Sequence, residues 1–523
     1  MPTRHCRPSS GWWLSCGILI ALAALTIASP RLFPFNMDEF GHLAPVGWYA
    51  YPLNETLNDF REGSHLYDMR LPFTNVYLPL RTYPYIGNLS FLPYLPFWLL
   101  IRDPVSARIQ GVVFFSIAIL LLARLARARY ETALLAALVF PMFFFSFMLD
   151  TGPTGLMLIL LSGTFLSLRR VLEHGTPAKP EDATPPRHDA HPYLFGALAG
   201  ILAFLGCFLK LVFFWFAFPI AVFALILGWR SLARSARTRK AIVLAMAVFA
   251  VLTGVLLLSR TRTGAFYYHE FGKQVDQSAA TTIETAARMS AFFSDGTTFA
   301  TRHLHIPRSF YDVFPLLLAA ALIARALLWR KDRGAVLLAA GLGIPVFAIM
   351  CASPKACHPH HAVLAMFFLV WGCAIAMRDL AGRPKAALFV AILLYWGALG
   401  LRLPRAEIDP LADFDKDRLL ETIRSERLDA GAVQIHVGWG TYYISNLFGS
   451  RDQAVVYLDY DRGIPERSEL EIVKAKAEGL GRGILAVTDD PATFLESDCV
   501  HEVLGPPLRQ TIMGHWGAIR YVR

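Results

Sequence analysis

Tyr85-Ile86-Gly87-Asn88-Leu89-Ser90-Phe91-Leu92-Pro93-Tyr94-Leu95-Pro96-Phe97-Trp98-Leu99-Leu100-Ile101 is apolar enough to pass for a membrane span. With Pro79 and Pro84 just before it and Pro93 and Pro96 inside it, however, a regular spanning helix would lose several backbone hydrogen bonds. The stretch therefore reads as a helix lying in or on a membrane rather than crossing one. That decision fixes the side on which every later loop falls.

Around this stretch stand apolar runs at residues 12–28, 107–125, 132–149, 151–168, 193–209, 211–228, 241–258, 310–328, 335–351, 362–376 and 386–401. Each approaches the ~20 residues that cross a hydrocarbon core of ~30 Å, which makes about eleven spans. The whole chain of 523 residues is 55% hydrophobic and 17% charged, too little charge to cover a soluble surface.

The net charge of +10 resides in short loops. Arg124, Arg127 and Arg129, then Arg169 and Arg170, then Arg230, Arg234, Arg237 and Lys240, then Arg330, Lys331 and Arg333, and finally Arg378, Arg383 and Lys385 recur in alternate loops. Under the positive-inside rule these face the cytoplasm, together with the N-terminus and its Arg4 and Arg7. Counting 85–101 as a span would put the arginines outside. The first run lacks a small-residue cleavage site, so it reads as an uncleaved span. Localisation to a plasma membrane follows, with a lean to the bacterial inner membrane from Arg, Ala and Leu usage alone.

The expected fold is mainly α. Residues 1–403 form a polytopic helix bundle with an external loop at about 30–106, a cytoplasmic linker at about 170–192 and a second external loop at about 260–309. From residue 404 charge rises and the apolar runs stop, so 404–523 reads as a soluble external domain. In it, strands at 433–437, 454–459 and 484–488 and helices at 441–448 and 465–480 suggest a small βαβα unit. Gly438 and Gly440 follow a strand but lack the third glycine of a nucleotide fingerprint.

Of the seven cysteines, Cys16, Cys207 and Cys373 lie in apolar runs and read as small hydrophobes. Cys351, Cys357 and Cys499 fall on the outer side, where a bridge is chemically allowed.

Chemistry-bearing residues gather at the outer ends of the spans. Asp38, Glu39 and His42 follow the first, Asp150 the third and Lys210 the fifth, while Lys355, His358, His360 and His361 precede the tenth. Singly, each reads equally well as an interfacial or snorkelling group. Together they are distant in sequence yet share one side. A site with carboxylates and fixed cations beside lipid suits transfer of a sugar from a lipid-linked phosphate. Cations stabilise the departing phosphate, and a carboxylate takes the proton of an attacking hydroxyl. Asp38 is the candidate base and Arg81, Lys210 and Lys355 the candidate phosphate partners.

The order of these features resembles the GT-C superfamily of membrane glycosyltransferases, in particular the branch of protein O-mannosyltransferases and the lipid A aminoarabinose transferase. Asp38-Glu39 matches the acidic pair after the first span, of which the resemblance implies the first is catalytic. Asp103-Pro104-Val105-Ser106-Ala107-Arg108 matches the polar stretch before the second span. Asp150, Lys210, and Lys355 with His358, His360 and His361 match later motif positions.

The aminoarabinose branch carries Glu-Lys-Pro-Pro in the first loop, where this chain reads Leu80-Arg81-Thr82-Tyr83-Pro84. The cation persists as Arg81, able to grip phosphate in a bidentate way, but the acid is lost. A divalent metal ion therefore stays open, with Glu39 and with His269 of Phe266-Tyr267-Tyr268-His269-Glu270 as its ligands. For His269 an interfacial role is the alternative. His303 and His305 lack a third ligand.

The implied function is an inverting transfer from a polyprenyl phosphate or diphosphate to a hydroxyl of a lipid, glycan or protein outside the membrane, with no nucleic-acid partner. Two rivals remain. A transporter or flippase of an anionic lipid-linked sugar would also line its path with charge, although no internal repeat is visible. A scaffold would depend on residues 404–523 and be indifferent to Asp38.

Overall fold

The computed structural model describes residues 10–28, 55–56, 69–70, 77–78, 81–83, 86–87, 92–101, 105–148, 153–173, 192–209, 213, 217–218, 221–222, 225–226, 228–259, 304–305, 310–328, 333, 336, 339, 341–343, 362–380, 382–402, 407–408, 414–437, 454–457 and 465–521. The chain divides into two compact units, one of residues 1–33 and 111–409, the other of residues 34–110 and 410–523.

The helices of the first unit are α1 (Ser10–Ala28), most of α3 (Val105–Ala126), α4 (Tyr130–Leu138), α5 (Pro141–Met148), α6 (Pro153–Glu173), α7 (Pro192–Leu209), α8 (Trp229–Arg234), α9 (Ala236–Ser259), α10 (Phe310–Leu328), α11 (Ala362–Met377) and α12 (Arg383–Arg402). In the second unit, residues 92–94 form a 3₁₀ turn that continues into α2 (Leu95–Ile101). Four helices among the described residues are long and apolar enough to cross a membrane, at Arg108–Ala126, Thr154–Glu173, Pro192–Leu209 and Ala236–Val255.

The expected surface helix over 85–101 is shorter than anticipated. Ile86 and Gly87 form a strand, and helix begins only at Leu92. Ten helical residues rise ~15 Å, half a hydrocarbon core.

Proline shapes several starts and one break. It opens α5, α6 and α7 at their first position, where a missing N–H costs nothing. Pro141 interrupts the expected run at 132–149, dividing it into α4 and α5 and depriving carbonyls of helical donors. One of these, Leu138 O, accepts the Trp396 indole N–H of α12 at 2.8 Å. A neighbouring helix thereby supplies the bond that the broken helix cannot. The Trp396 ring also meets Phe144 edge-on, with centroids 5.8 Å apart. Phe115 of α3 packs edge-on against Phe143, Phe144 and Phe147.

Side-chain contacts order the helix ends. Arg169 Nη1 donates to Leu125 O and Arg127 pairs with Glu173, so α3 and α6 end together. Leu168 and Val171 share a buried cluster with Tyr193 and Phe195, so α7 starts where α6 ends. A Cβ on Gly196 or Gly200 would collide with the carbonyls of Ala241 and Ala245. This register, rising in both helices, makes α7 and α9 parallel neighbours at backbone contact, as small residues permit. Arg325 Nη1 donates to Ala376 O, so α10 and α11 end together, and α12 follows by a short turn. Lys385 of α12 touches Thr132 of α4. Hence α3, α6, α10 and α11 end, and α4, α7, α9 and α12 begin, at one pole of this unit. That pole holds Arg124, Arg127, Arg129, Arg169, Arg170, Arg237, Lys240, Arg378, Arg383 and Lys385.

The second unit holds a six-stranded sheet of order β1-β9-β8-β10-β12-β11, with β1 (Glu55–Thr56), β8 (Ala432–Val437), β9 (Ala454–Tyr457), β10 (Gly483–Thr488), β11 (Pro507–Met513) and β12 (Trp516–Tyr521). The first four strands in that order are parallel, and β12 and β11 run antiparallel. On one face α13 (Phe414–Ser425) sets Leu419, Leu420 and Ile423 against Leu485, Val487, Trp516 and Ala518. On the other, α14 (Arg467–Gly479), α15 (Pro491–Glu496) and α16 (Asp498–Leu504) cover Val433, Ile435, Val437 and Ile519. Coverage on both faces explains why β8 and β10 are buried at every residue. The expected strands and the charged helix are present and the expected helix at 441–448 lies outside the described residues, while the closing hairpin and α13 go beyond the βαβα expectation. β1, from the first loop, pairs with β9 in parallel.

Replacing Trp396 by Phe keeps the ring and removes the donor to Leu138 O. We expect a loss of about 1–3 kcal/mol, read as a lower melting temperature of the solubilised protein. Gly200→Leu forces α7 from α9 and should destabilise by at least about 1–3 kcal/mol, whereas Gly254→Ala, with no atom within 4 Å of its Cβ, should leave melting unchanged or raised.

Candidate functional site

Of the residues singled out above for phosphate binding, Arg81 belongs to the described backbone. It opens β4 (Arg81–Tyr83), which pairs antiparallel with β5 (Ile86–Gly87) and sets Arg81 opposite Gly87. Asp38, Glu39, His42, Asp150, Lys210, His269, Lys355, His358, His360 and His361 lie outside the described residues, as do Cys351 and Cys357.

The helices to which several of these residues are joined are described. Met148 closes α5 two positions before Asp150, Leu209 closes α7 immediately before Lys210, and Ala362 opens α11 immediately after His361. All three termini lie at the ends of their helices away from the arginine pole. Ala28 closes α1. Asp38 follows Ala28 by ten positions.

The first turns of α3 bury three polar side chains completely, Ser106, Arg108 and Gln110, each at 0% exposure. Ser106 and Arg108 were part of the polar motif that precedes the second span; Gln110 was missed. The signal was a neutral amide just inside an apolar run, where burial without hydrogen bonds is costly.

A cavity of about 390 Å³ lies among α6, α7, α9 and residues 217, 218, 221, 222 and 225, bounded by Thr164, Ala203, Cys207, Phe218, Ala245 and Phe249. Its lining is almost wholly hydrocarbon. In the second unit His436 Nε2 sits 3.3 Å from Gln434 Oε1, both buried on one face of β8, a pair that the sequence reading passed over. His305 in β6 (Leu304–His305) stands opposite Glu407 in β7 (Glu407–Ile408).

Cys16, Cys207, Cys373 and Cys499 are free thiols. Burial pushes the Cys499 thiol up, against a lowering by Arg467. The side-chain and then backbone hydrogen bonds of Thr493 hold Asp490 below the usual carboxylate range, consistent with its place as the cap of α15. Among the described residues no group of three or more His, Cys, Asp or Glu is placed to hold a metal ion. Glu39 and His269, the ligands expected from sequence, lie outside the described residues.

No family model matches the sequence, and no curated protein matches it. Among solved structures, the chain is similar to ArnT from Cupriavidus metallidurans bound to undecaprenyl phosphate, at 12% identity and a TM-score of 0.54, covering 98% of this chain and 99% of that one. The apo state of the same protein gives a TM-score of 0.50 at 12% identity and 98% of each chain. The Archaeoglobus fulgidus oligosaccharyltransferase tethered with an acceptor peptide aligns at 14% identity and a TM-score of 0.44, over 91% of this chain and 69% of that one, a match too loose to build on. At such identities the likeness to ArnT is one of architecture, and it extends over nearly the whole of both chains. The chain shares the helical fold of ArnT.

Proposed function

We propose that this chain is an integral membrane glycosyltransferase that moves a sugar from a polyprenyl phosphate or diphosphate to a hydroxyl on the outer side of the membrane, with inversion at the sugar. The observation that carries this reading is the segregation of charge by helix end. The arginines share one pole, and the described ends leading to Asp150 and Lys210 and from His361 lie away from it. Supporting it is the near-complete overlap in fold with ArnT, a protein whose structure holds undecaprenyl phosphate.

In this reading Asp38 removes the proton of the acceptor hydroxyl as its oxygen attacks the anomeric carbon. The bond to the carrier phosphate breaks on the opposite face, and Arg81, Lys210 and Lys355 stabilise the negative charge left on the phosphate. Glu39, pointing about 100° away from Asp38 if the pair is helical, orients the loop rather than sharing the base role. His42, Asp150, His358, His360 and His361 support the cations or hold the acceptor. The domain beginning at residue 404 lies outside with the acceptor.

Asp38→Asn preserves shape and removes the base, so purified variant supplied with its native donor should turn over about 10²- to 10⁴-fold more slowly. Turnover at the wild-type rate would exclude Asp38 as base. The sidedness has its own test. With exposed native cysteines replaced, a membrane-impermeant maleimide added to intact cells should label a cysteine at position 355 but reach one at position 170 only after permeabilisation; labelling of both from one side contradicts the arrangement.

A further inference from the structure

We propose that Ser106 and Gln110 bind the sugar of the lipid-linked donor through its hydroxyl groups, an inference that rests on the donor reading above. Both residues lie in the first turns of α3, four positions apart, and so share one helix face. Both are wholly buried. Among the described residues neither the Ser106 hydroxyl oxygen nor either polar atom of the Gln110 amide has a hydrogen-bond partner. The indole N–H of Trp98 in α2, buried in the same unit, has none either. Arg108, between the two on the helix, is already engaged and is not needed to explain them.

Buried polar groups are almost always bonded, so a pair left open on one face implies a group that comes and goes. The chemistry of that group follows from what the pair offers. The amide nitrogen donates, the amide oxygen accepts, and the serine hydroxyl does both. Phosphate oxygens only accept and would leave the amide oxygen bare. A metal cation would satisfy oxygens and repel the amide N–H. A hydroxyl donates and accepts at once, and a sugar ring carries several at fixed spacing, enough to bridge residues one helical turn apart. The pair is also neutral, which suits the uncharged part of a donor whose phosphate is met by cations elsewhere. Sites built to bond a hydroxyl discriminate strongly against analogues lacking it. Ser106 and Gln110 would thus select the sugar-bearing carrier over the spent one.

The test is binding to the full-length protein in lipid nanodiscs, using undecaprenyl phosphate bare or bearing glucose, mannose or aminoarabinose as probes. Wild-type protein should bind at least one sugar-bearing probe about tenfold or more tightly than the bare carrier. Gln110→Leu should bring the two to parity without weakening the bare carrier, and Ser106→Ala should reduce the preference in part. A melting curve, with Gln110→Met as a second apolar replacement, guards against reading misfolding as lost binding. If the preference survives both Gln110 variants, the pair holds an internal water only and the inference fails. If wild type binds the bare carrier and favours no sugar, the inference fails while the carrier reading stands. If wild type binds neither form, the carrier reading falls first and takes the inference with it.

Discussion

A backbone surrounded by hydrocarbon has to find its hydrogen bonds inside the protein, and much of the first unit answers to that constraint. Where the chain keeps regular helix, nothing more is needed. Where Pro141 breaks it, Trp396 reaches across from α12 to Leu138 O. That single contact joins the third apolar run to the last and fixes the register of α12 beside α4. The arginines are bound by a related rule. Arg169 and Arg325 spend donors on the last carbonyls of neighbouring helices, Leu125 O and Ala376 O, satisfying groups that helix ends leave open. The pole is therefore a set of helix terminations stitched by guanidinium groups as well as a band of charge.

Within this frame the two ends of the bundle carry different kinds of residue. One end is held together by arginine, Glu173 and short turns such as that at Arg127, whose φ of 50° lets α3 reverse into α4. The other end is where the described helices give way to the segments that carry Asp150, Lys210 and the histidines.

Much of the helical frame was legible in sequence because an apolar run of span length has few alternatives. α7, expected at 193–209, is found at Pro192–Leu209, and α11, expected at 362–376, at Ala362–Met377. The strands β8 and β10 were legible for a similar reason, being continuous apolar runs between turns. What escaped depends on contacts between distant parts of the chain. Nothing in Glu55-Thr56 announces a strand until Val456 and Tyr457 lie beside it. The β11–β12 hairpin turns on Gly514, at φ +61°, without a residue pair typical of tight turns, and β11 alternates weakly because it lies at an exposed edge. The candidate site was read from residue types at span ends, and all of these but Arg81 lie outside the described residues. Gln110 was not read there, because an amide in an apolar run looks like noise until its burial is known.

The pairing of β1 with β9 bears on how the parts of this protein can be dissected. Two residues of the first loop complete the edge of a sheet whose other strands all come from beyond residue 430. A truncated chain ending before that sheet would lose a domain and also strip a seam from the segment that follows Asp38, so a phenotype would have two parents. Substitutions on the loop side of the seam, at Thr56, separate them. They loosen the first loop from the sheet while leaving both in place.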